Sequence, residues 1–235
     1  MFGTKKKAIT FSYDDGVTQD VRLIALFDKY GMKGTFNLNS GLMGLPGELV
    51  REGATVSHVK IPRDEAPQVY RGHEVAAHTV THPNLTEVSD EAEIVRQIEE
   101  DRAALSDIFG YEVRGFAYPG GWPNFDDRVA GIVRAKTGVS FARTTASTLA
   151  FGLPGDPIVL KPTVHQHSQF SEMERLLDEF LSAEAEEPML FYIWGHAYEL
   201  DIRDEWERLE RFLDRAAGHD DVFYGTNSQC LSGRV

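Results

Sequence analysis

The chain is short of cysteine, of positive charge and of long apolar runs, and each shortage removes a class of protein. A single Cys230 among 235 residues allows no intramolecular disulfide and no cysteine-built metal site. Only 24 Lys and Arg stand against 37 Asp and Glu, a formal charge of −13. A nucleic-acid or anionic-membrane binder would need a basic patch, so neither partner is expected. No stretch approaches the roughly 20 apolar residues of a membrane-crossing helix. After Lys5-Lys6-Lys7 the run Ala8–Phe11 is too short for the apolar part of a signal peptide, which makes a cytoplasmic location the expectation. No GxGxxG or GxxxxGKS/T follows a predicted strand, so nucleotide-binding folds lack support. Internal repeats, low-complexity tracts and Pro/Ser-rich linkers are missing too.

What is present is enough apolar residue for a core, 42% of the chain with 11% aromatic, in a length that fits one domain over residues 1–235. Short β-like runs recur at Ala8–Tyr13, Gly34–Leu38, Glu74–Ala77, Gly115–Tyr118, Val139–Ala142, Ile158–Leu160, Met189–Trp194 and Val222–Gly225. Helical patterns separate most of them. The first, Asp20–Tyr30, shows Leu23, Leu26, Phe27 and Tyr30 on one face and Gly31 as its stop. The second, Asp90–Phe109, opens on Asp90 and Glu93 as a capping box and carries an apolar stripe of Ile94, Ile98, Leu105 and Phe109. Ser171-x-x-Glu174 opens another, Asp204–Ala217 is the last, and Phe125–Lys136 is weaker. Alternating strands and helices predict an α/β fold with a parallel sheet, a closed (β/α) barrel ahead of an open doubly wound sheet. Residues 41–72 read as a long irregular loop that could form one wall of a pocket.

Barrels place reacting groups where strands end, and four predicted strand ends carry chemistry. The first ends in Asp14-Asp15-Gly16, two carboxylates of which one can bind a metal while the other stays free as a base. The third ends in His78-Thr79-Val80-Thr81-His82. Imidazoles four apart can converge on one ion in a helical turn, although Pro83 biases His82 away from helical geometry. The fourth runs into Pro119-Gly120-Gly121-Trp122, whose glycines let backbone N–H groups face an oxyanion. Met189–Trp194 runs into His196, with Glu199 placed to orient its ring and keep it protonated. Tyr13, Tyr118, Trp122 and Trp194 are candidates to stack on a sugar ring, with core packing as the competing role; Glu199 is a further candidate for substrate contact. His165 and His167 follow the run Ile158–Leu160 and could line the pocket, although a structural or surface role is the preferred reading; His58, His73 and His219 are read as structural or surface.

Together these residues resemble the polysaccharide deacetylase (NodB-homology, carbohydrate esterase 4) family over about residues 8–229. Thr10-Phe11-Ser12-Tyr13-Asp14-Asp15-Gly16 is similar to its Thr-Phe-Asp-Asp-Gly motif with two residues inserted, and His78-Thr79-x-x-x-His82 to its His-Ser/Thr-x-x-x-His motif. Thr226-Asn227 resembles its ending. The resemblance implies a distorted (β/α) barrel of about seven parallel strands and one divalent ion, zinc first, with cobalt, nickel, iron or manganese as alternatives. It implies Asp15, His78 and His82 as ligands, Asp14 as general base, His196 as general acid and a Gly120 N–H at the oxyanion. The expected function is release of acetyl from an N-acetylated amino sugar or polysaccharide. The family's third motif, Phe-Arg-x-Pro-Tyr-Gly, is altered here: Ala117 holds the Arg position and Gly120 the Tyr position, with Arg114 and Arg143 as substitutes. That departure resembles a divergent branch containing allantoinase-like hydrolases of other non-peptide C–N bonds, so a small amide is the alternative substrate. A catalytically inactive carbohydrate-binding homologue is the third reading.

Overall fold

Strand β1 (Lys7–Asp14) is buried along its whole length, so alternation sorts its residues by face rather than by polarity. Ile9, Phe11 and Tyr13 join the main apolar core, whereas Ala8 lies in a second cluster with Leu190 and Tyr192. On that second face Thr10 bonds Asn227, and Asn37 bonds both Ser12 and Asp14. Two buried faces are what a parallel strand has when helices cover one side and a barrel interior lies on the other. The structure, a computed structural model, describes residues 2–231.

After β1 come α1 (Asp20–Lys29), β2 (Gly34–Leu38), β3 (Glu48–Arg51), β4 (Ala54–Ser57), α2 (Ala66–Val69) and β5 (Glu74–Ala77). Then follow α3 (Glu91–Phe109), β6 (Gly115–Ala117), α4 (Asp127–Lys136), β7 (Phe141–Arg143), β8 (Val164–His165) and α5 (Phe170–Ser182). The chain continues through β9 (Met189–Gly195), α6 (Glu199–Ile202), α7 (Trp206–Ala216), β10 (Val222–Tyr224) and α8 (Asn227–Leu231). The main sheet runs β7-β6-β5-β2-β1-β9-β8, every pair parallel. Its two ends meet through one stretch of chain: Leu160 bonds to Ala142 and Thr144 of the β7 edge, and Thr163 and Gln166 bond to Tyr192 and Trp194 of β9. Seven strands thus curl into a distorted (β/α) barrel. The distortion shows at β1, whose first residues pair with β10 and whose last pair with β2.

Helix and strand limits departed from the sequence pattern where specific groups intervene. Asp90 caps α3 through the Ala92 N–H, but Glu93 binds Arg96 and Gln97 instead of completing a capping box. Ser171 and Glu174 do not open α5, which starts at Phe170; both bind Arg208 of α7. Asp204 is left-handed, φ 52°, so α7 starts only at Trp206. The strand expected at Ile158–Leu160 is a single bridge from Leu160 to Arg143, and the ladder resumes at Val164 once Pro162, which has no N–H to donate, is past. Residues 41–72 are more ordered than an irregular loop. They contain the antiparallel β3–β4 hairpin and α2, and the hairpin carries Arg51 to the mouth of the barrel.

Candidate active site

Six of the seven barrel strands deliver a polar group to one end. Asp14 and Asp15 close β1, Asn39 follows β2, His78 follows β5, Arg143 closes β7, His165 closes β8 and His196 follows β9. Asp14, Asp15, His78, His165 and His196 line a cavity of about 380 Å³ together with His82, Gly120, Gly121, Trp122, Trp194, Arg51 and Glu199, while Asn39 and Arg143 support these residues from behind.

Asp14 lies at the centre. One Arg143 guanidinium nitrogen bonds both its oxygens and Asn37 donates a further bond of 2.7 Å. His78 Nε2 and His196 Nε2 each stand 3.9 Å from its Oδ2. Burial alone would raise this carboxyl; Arg143 first, then His78 and His196, reverse that and hold it below its ordinary value, hence ionised. Arg143 answers the question left by Ala117. The two residues are register partners on adjacent strands, so the guanidinium reaches the carboxylate from one strand further round. It is fully buried, 4.5 Å from the Trp194 ring. Arg114 is not involved; it is exposed and pairs with Glu112.

Asp15 has φ 82°, a left-handed conformation uncommon outside glycine. His58 Nε2 lies 3.2 Å from its Oδ2, Lys60 Nζ 3.4 Å from its Oδ1, and Lys60 also donates to its carbonyl at 2.7 Å. Against the effect of burial, these partners keep it well below the usual carboxylate range. His58, expected to be structural or surface, therefore belongs to the site. His78 and His82 approach Asp15, and the ligand atoms of the three lie within 4.8 Å of one another. The helical turn considered for the two histidines does not form. Thr79 and His82 are both left-handed, φ 69° and 60°, and the turn is braced from outside. Asp101 accepts the His78 N–H at 2.9 Å and the Ser40 N–H at 2.6 Å; Asn39 donates to the carbonyls of His78 and Thr79; Gln97 binds Thr81. Such strain persists only where the surroundings over-determine it. His78 Nδ1 sits 2.8 Å from the Ala117 carbonyl, which leaves Nε2 for the cavity. Burial pulls His78 down to about 4 and lowers His82 as well, so both rings are neutral with a lone pair available.

On the facing wall, Glu199 is fully buried and serves two imidazoles. Its Oε2 lies 3.1 Å from His165 Nε2, 3.2 Å from His196 Nδ1 and 3.1 Å from the His196 backbone N–H, while Arg51 holds Oε1 at 2.9 Å. Burial would lower His196, but Glu199, then Asp15 and Asp14, raise it to about 9, which keeps the ring protonated. His165, expected to be structural or surface, lines the cavity and stacks on Trp194 at 4.1 Å. His167 is buried against Glu52, His73 accepts the N–H of Gly34 at the start of β2, and His219 lies 2.9 Å from the Arg215 carbonyl, all structural roles.

Of the aromatic candidates, Trp122 stands at the rim and is largely exposed, and Trp194 lines the interior. Tyr13 does not reach the cavity. Alternation that points Asp14 inward points Tyr13 at the helices, among Phe27 and Phe36. Tyr118 is likewise core, packed on Phe116 and Phe125 with its hydroxyl on the Ile158 carbonyl. The bracing residues Gln97 and Asp101 escaped notice in the sequence. Their signal was there: two polar side chains at helical spacing inside the stripe of Ile94, Ile98 and Leu105.

A parallel barrel that gathers paired carboxylates and clustered imidazoles at its strand ends has the architecture of an enzyme active site. Residues 3–136 match the model of the polysaccharide deacetylase family, and the chain belongs to that family. Among solved structures, a family 4 carbohydrate esterase from Streptomyces lividans superposes with TM-score 0.59 at 15% identity, covering 96% of this chain and 95% of that one. The chitin deacetylase of Colletotrichum lindemuthianum gives 0.62 at 16% identity over 97% and 89%, and a peptidoglycan deacetylase of Bacillus subtilis 0.55 at 16% over 96% and 90%. No curated protein matches the chain in sequence.

Proposed function

We propose that the protein is a metal-dependent deacetylase that releases acetate from an N-acetylated amino sugar or a polysaccharide containing it. One observation carries this reading: a single cavity holds an ionised carboxylate, a trio of metal-type ligands and a protonated imidazole. Asp15, His78 and His82 fit a divalent ion such as zinc, because the imidazoles are neutral and the Nδ1 of His78 is anchored behind it. When bound there, the ion polarises the acyl carbonyl and acidifies water.

The chain's own residues supply the remaining steps. Asp14, kept ionised by Arg143, takes the proton of the attacking water. The Gly120 backbone N–H, in a left-handed turn that glycine adopts without strain, faces the oxygen that gains charge. His196, kept protonated by Glu199, hands its proton to the departing amine nitrogen, without which the C–N bond does not break. Trp122 offers an exposed ring face on which a sugar can stack.

A second reading, hydrolysis of a small amide, draws on the size of the cavity and on Arg51, which closes one side of it; about 380 Å³ is the scale of a small-molecule site. The intact set of Asp14, Asp15, His78, His82 and His196 weighs against an inactive homologue. Metal analysis of the purified protein, joined to acetate release from N-acetylglucosamine oligomers before and after chelation, tests both. Metal-dependent acetate release supports the first reading. Metal without acetate release moves the assignment to small amides, and a protein without metal overturns the ligand set.

A further inference from the structure

The wall opposite Asp15, His78 and His82 repeats their chemistry. His165, His196 and Glu199 also bring one carboxylate oxygen and two imidazole nitrogens within 4.8 Å of one another. Two of the three are anchored from behind in the way metal ligands are. His165 Nδ1 is 2.7 Å from the Ser168 hydroxyl, leaving Nε2 toward Glu199. Arg51 occupies Oε1 of Glu199 and leaves Oε2 to the two histidines. A second observation separates this cluster from an ordinary hydrogen-bonded pair. His196 Nδ1, though 3.2 Å from Oε2, lies outside hydrogen-bonding geometry and has no such partner among the described residues. A nitrogen and an oxygen that are close but not aligned for a shared proton suit a cation between them.

We infer that His165, His196 and Glu199 form a second divalent-cation site, distinct from the first and inhibitory when filled. Two imidazoles and one carboxylate select zinc-like ions over calcium or magnesium, which favour all-oxygen shells. The Arg51 guanidinium holds Glu199 at 2.9 Å, closer than the Lys60 ammonium stands to Asp15 at 3.4 Å, so this site holds its ion more weakly than the first and fills after it. Filling it takes the ring of His196 out of proton transfer; that consequence rests on the proposed role of His196, whereas the site itself does not.

The test is a titration of the chelator-stripped protein with Co²⁺, read by visible absorbance and by metal content after dialysis, with acetate release in parallel. The wild-type protein is expected to take two equivalents, and His165→Gln and Glu199→Gln one each. His82→Ala is expected to keep only the weaker equivalent. The first equivalent retained by His165→Gln shows that the variant is folded. Acetate release should rise with the first equivalent and fall at least ten-fold with the second. A wild-type stoichiometry of one or less, or a second equivalent that survives in both His165→Gln and Glu199→Gln, overturns the inference. Two equivalents without acetate release at any loading would leave the second site standing and sink the deacetylase reading instead.

Discussion

Opposite walls of the cavity hold the same three groups, a carboxylate and two imidazoles, in different electrical surroundings. On the β5 wall, His78 and His82 face Asp15, a carboxylate already shared with His58 and Lys60, and burial wins: both rings are pushed toward neutrality. On the β9 wall, His196 is exposed to the charges of Glu199, Asp15 and Asp14 together, and these outweigh burial. His165 shares Glu199 but stays lowered, because burial prevails there. Ring identity therefore decides nothing by itself; the count of carboxylates around each ring decides whether it rests neutral or charged.

The contrast breaks hardest at Asp14, which stands between the walls. Asp14→Asn should lower kcat by about 10²–10⁴, the usual worth of general base help, while metal content stays unchanged. An unchanged rate would remove Asp14 as base. Arg143→Leu comes next, because it leaves a buried carboxylate without its partner; loss of about 3–5 kcal/mol in urea unfolding is expected. Arg114→Leu, at an exposed pair, should lie within about 1 kcal/mol of wild type. Equal effects of the two would mean that the guanidinium on Asp14 is incidental.

Glu199→Gln sharpens the comparison from the other wall. A folded-state value of about 9 keeps the His196 proton through neutral pH and releases it as pH rises past 9. Without the Glu199 charge, release begins at lower pH, so the alkaline limb of kcat/KM should move down. Each unit of movement costs about ten-fold in rate at a pH above the new limb. An unmoved limb would mean that another group sets it.

The parts of this arrangement that could be read from the residue order are those that lie next to one another in it. Asp14-Asp15, the His78/His82 pair and His196 near Glu199 each announce themselves within five residues, and β–α alternation places them all at one end of a barrel. What stayed hidden depends on pairing across distant segments. Arg143 is 129 residues from Asp14 and replaces a position on the neighbouring strand, which only the β6–β7 register reveals. His58 and Arg51 come from a stretch whose Gly and Pro content masks a hairpin, and His165 is brought to Glu199 by barrel closure. Tyr13 and Tyr118 failed for the opposite reason: the motif is contiguous, but a strand turns alternate residues to alternate faces.

That last point yields the smallest expected effect. Tyr13 has a fully buried hydroxyl without a hydrogen-bond partner among the described residues. Burial and the nearby carboxylates of Glu199 and Asp20 push it far above the ordinary phenol value, so it stays protonated. Deleting an unsatisfied buried hydroxyl removes a desolvation cost and almost no volume. Tyr13→Phe should therefore be as stable as wild type or more so by about 1 kcal/mol, with kcat/KM within about two-fold. Trp122→Ala, at the exposed rim, should instead raise KM for an acetylated oligomer with little change in thermal stability. If Tyr13→Phe weakened substrate binding and Trp122→Ala did not, the cavity would have been assigned to the wrong face of β1, and the pairing of its two walls across Asp14 would fall with it.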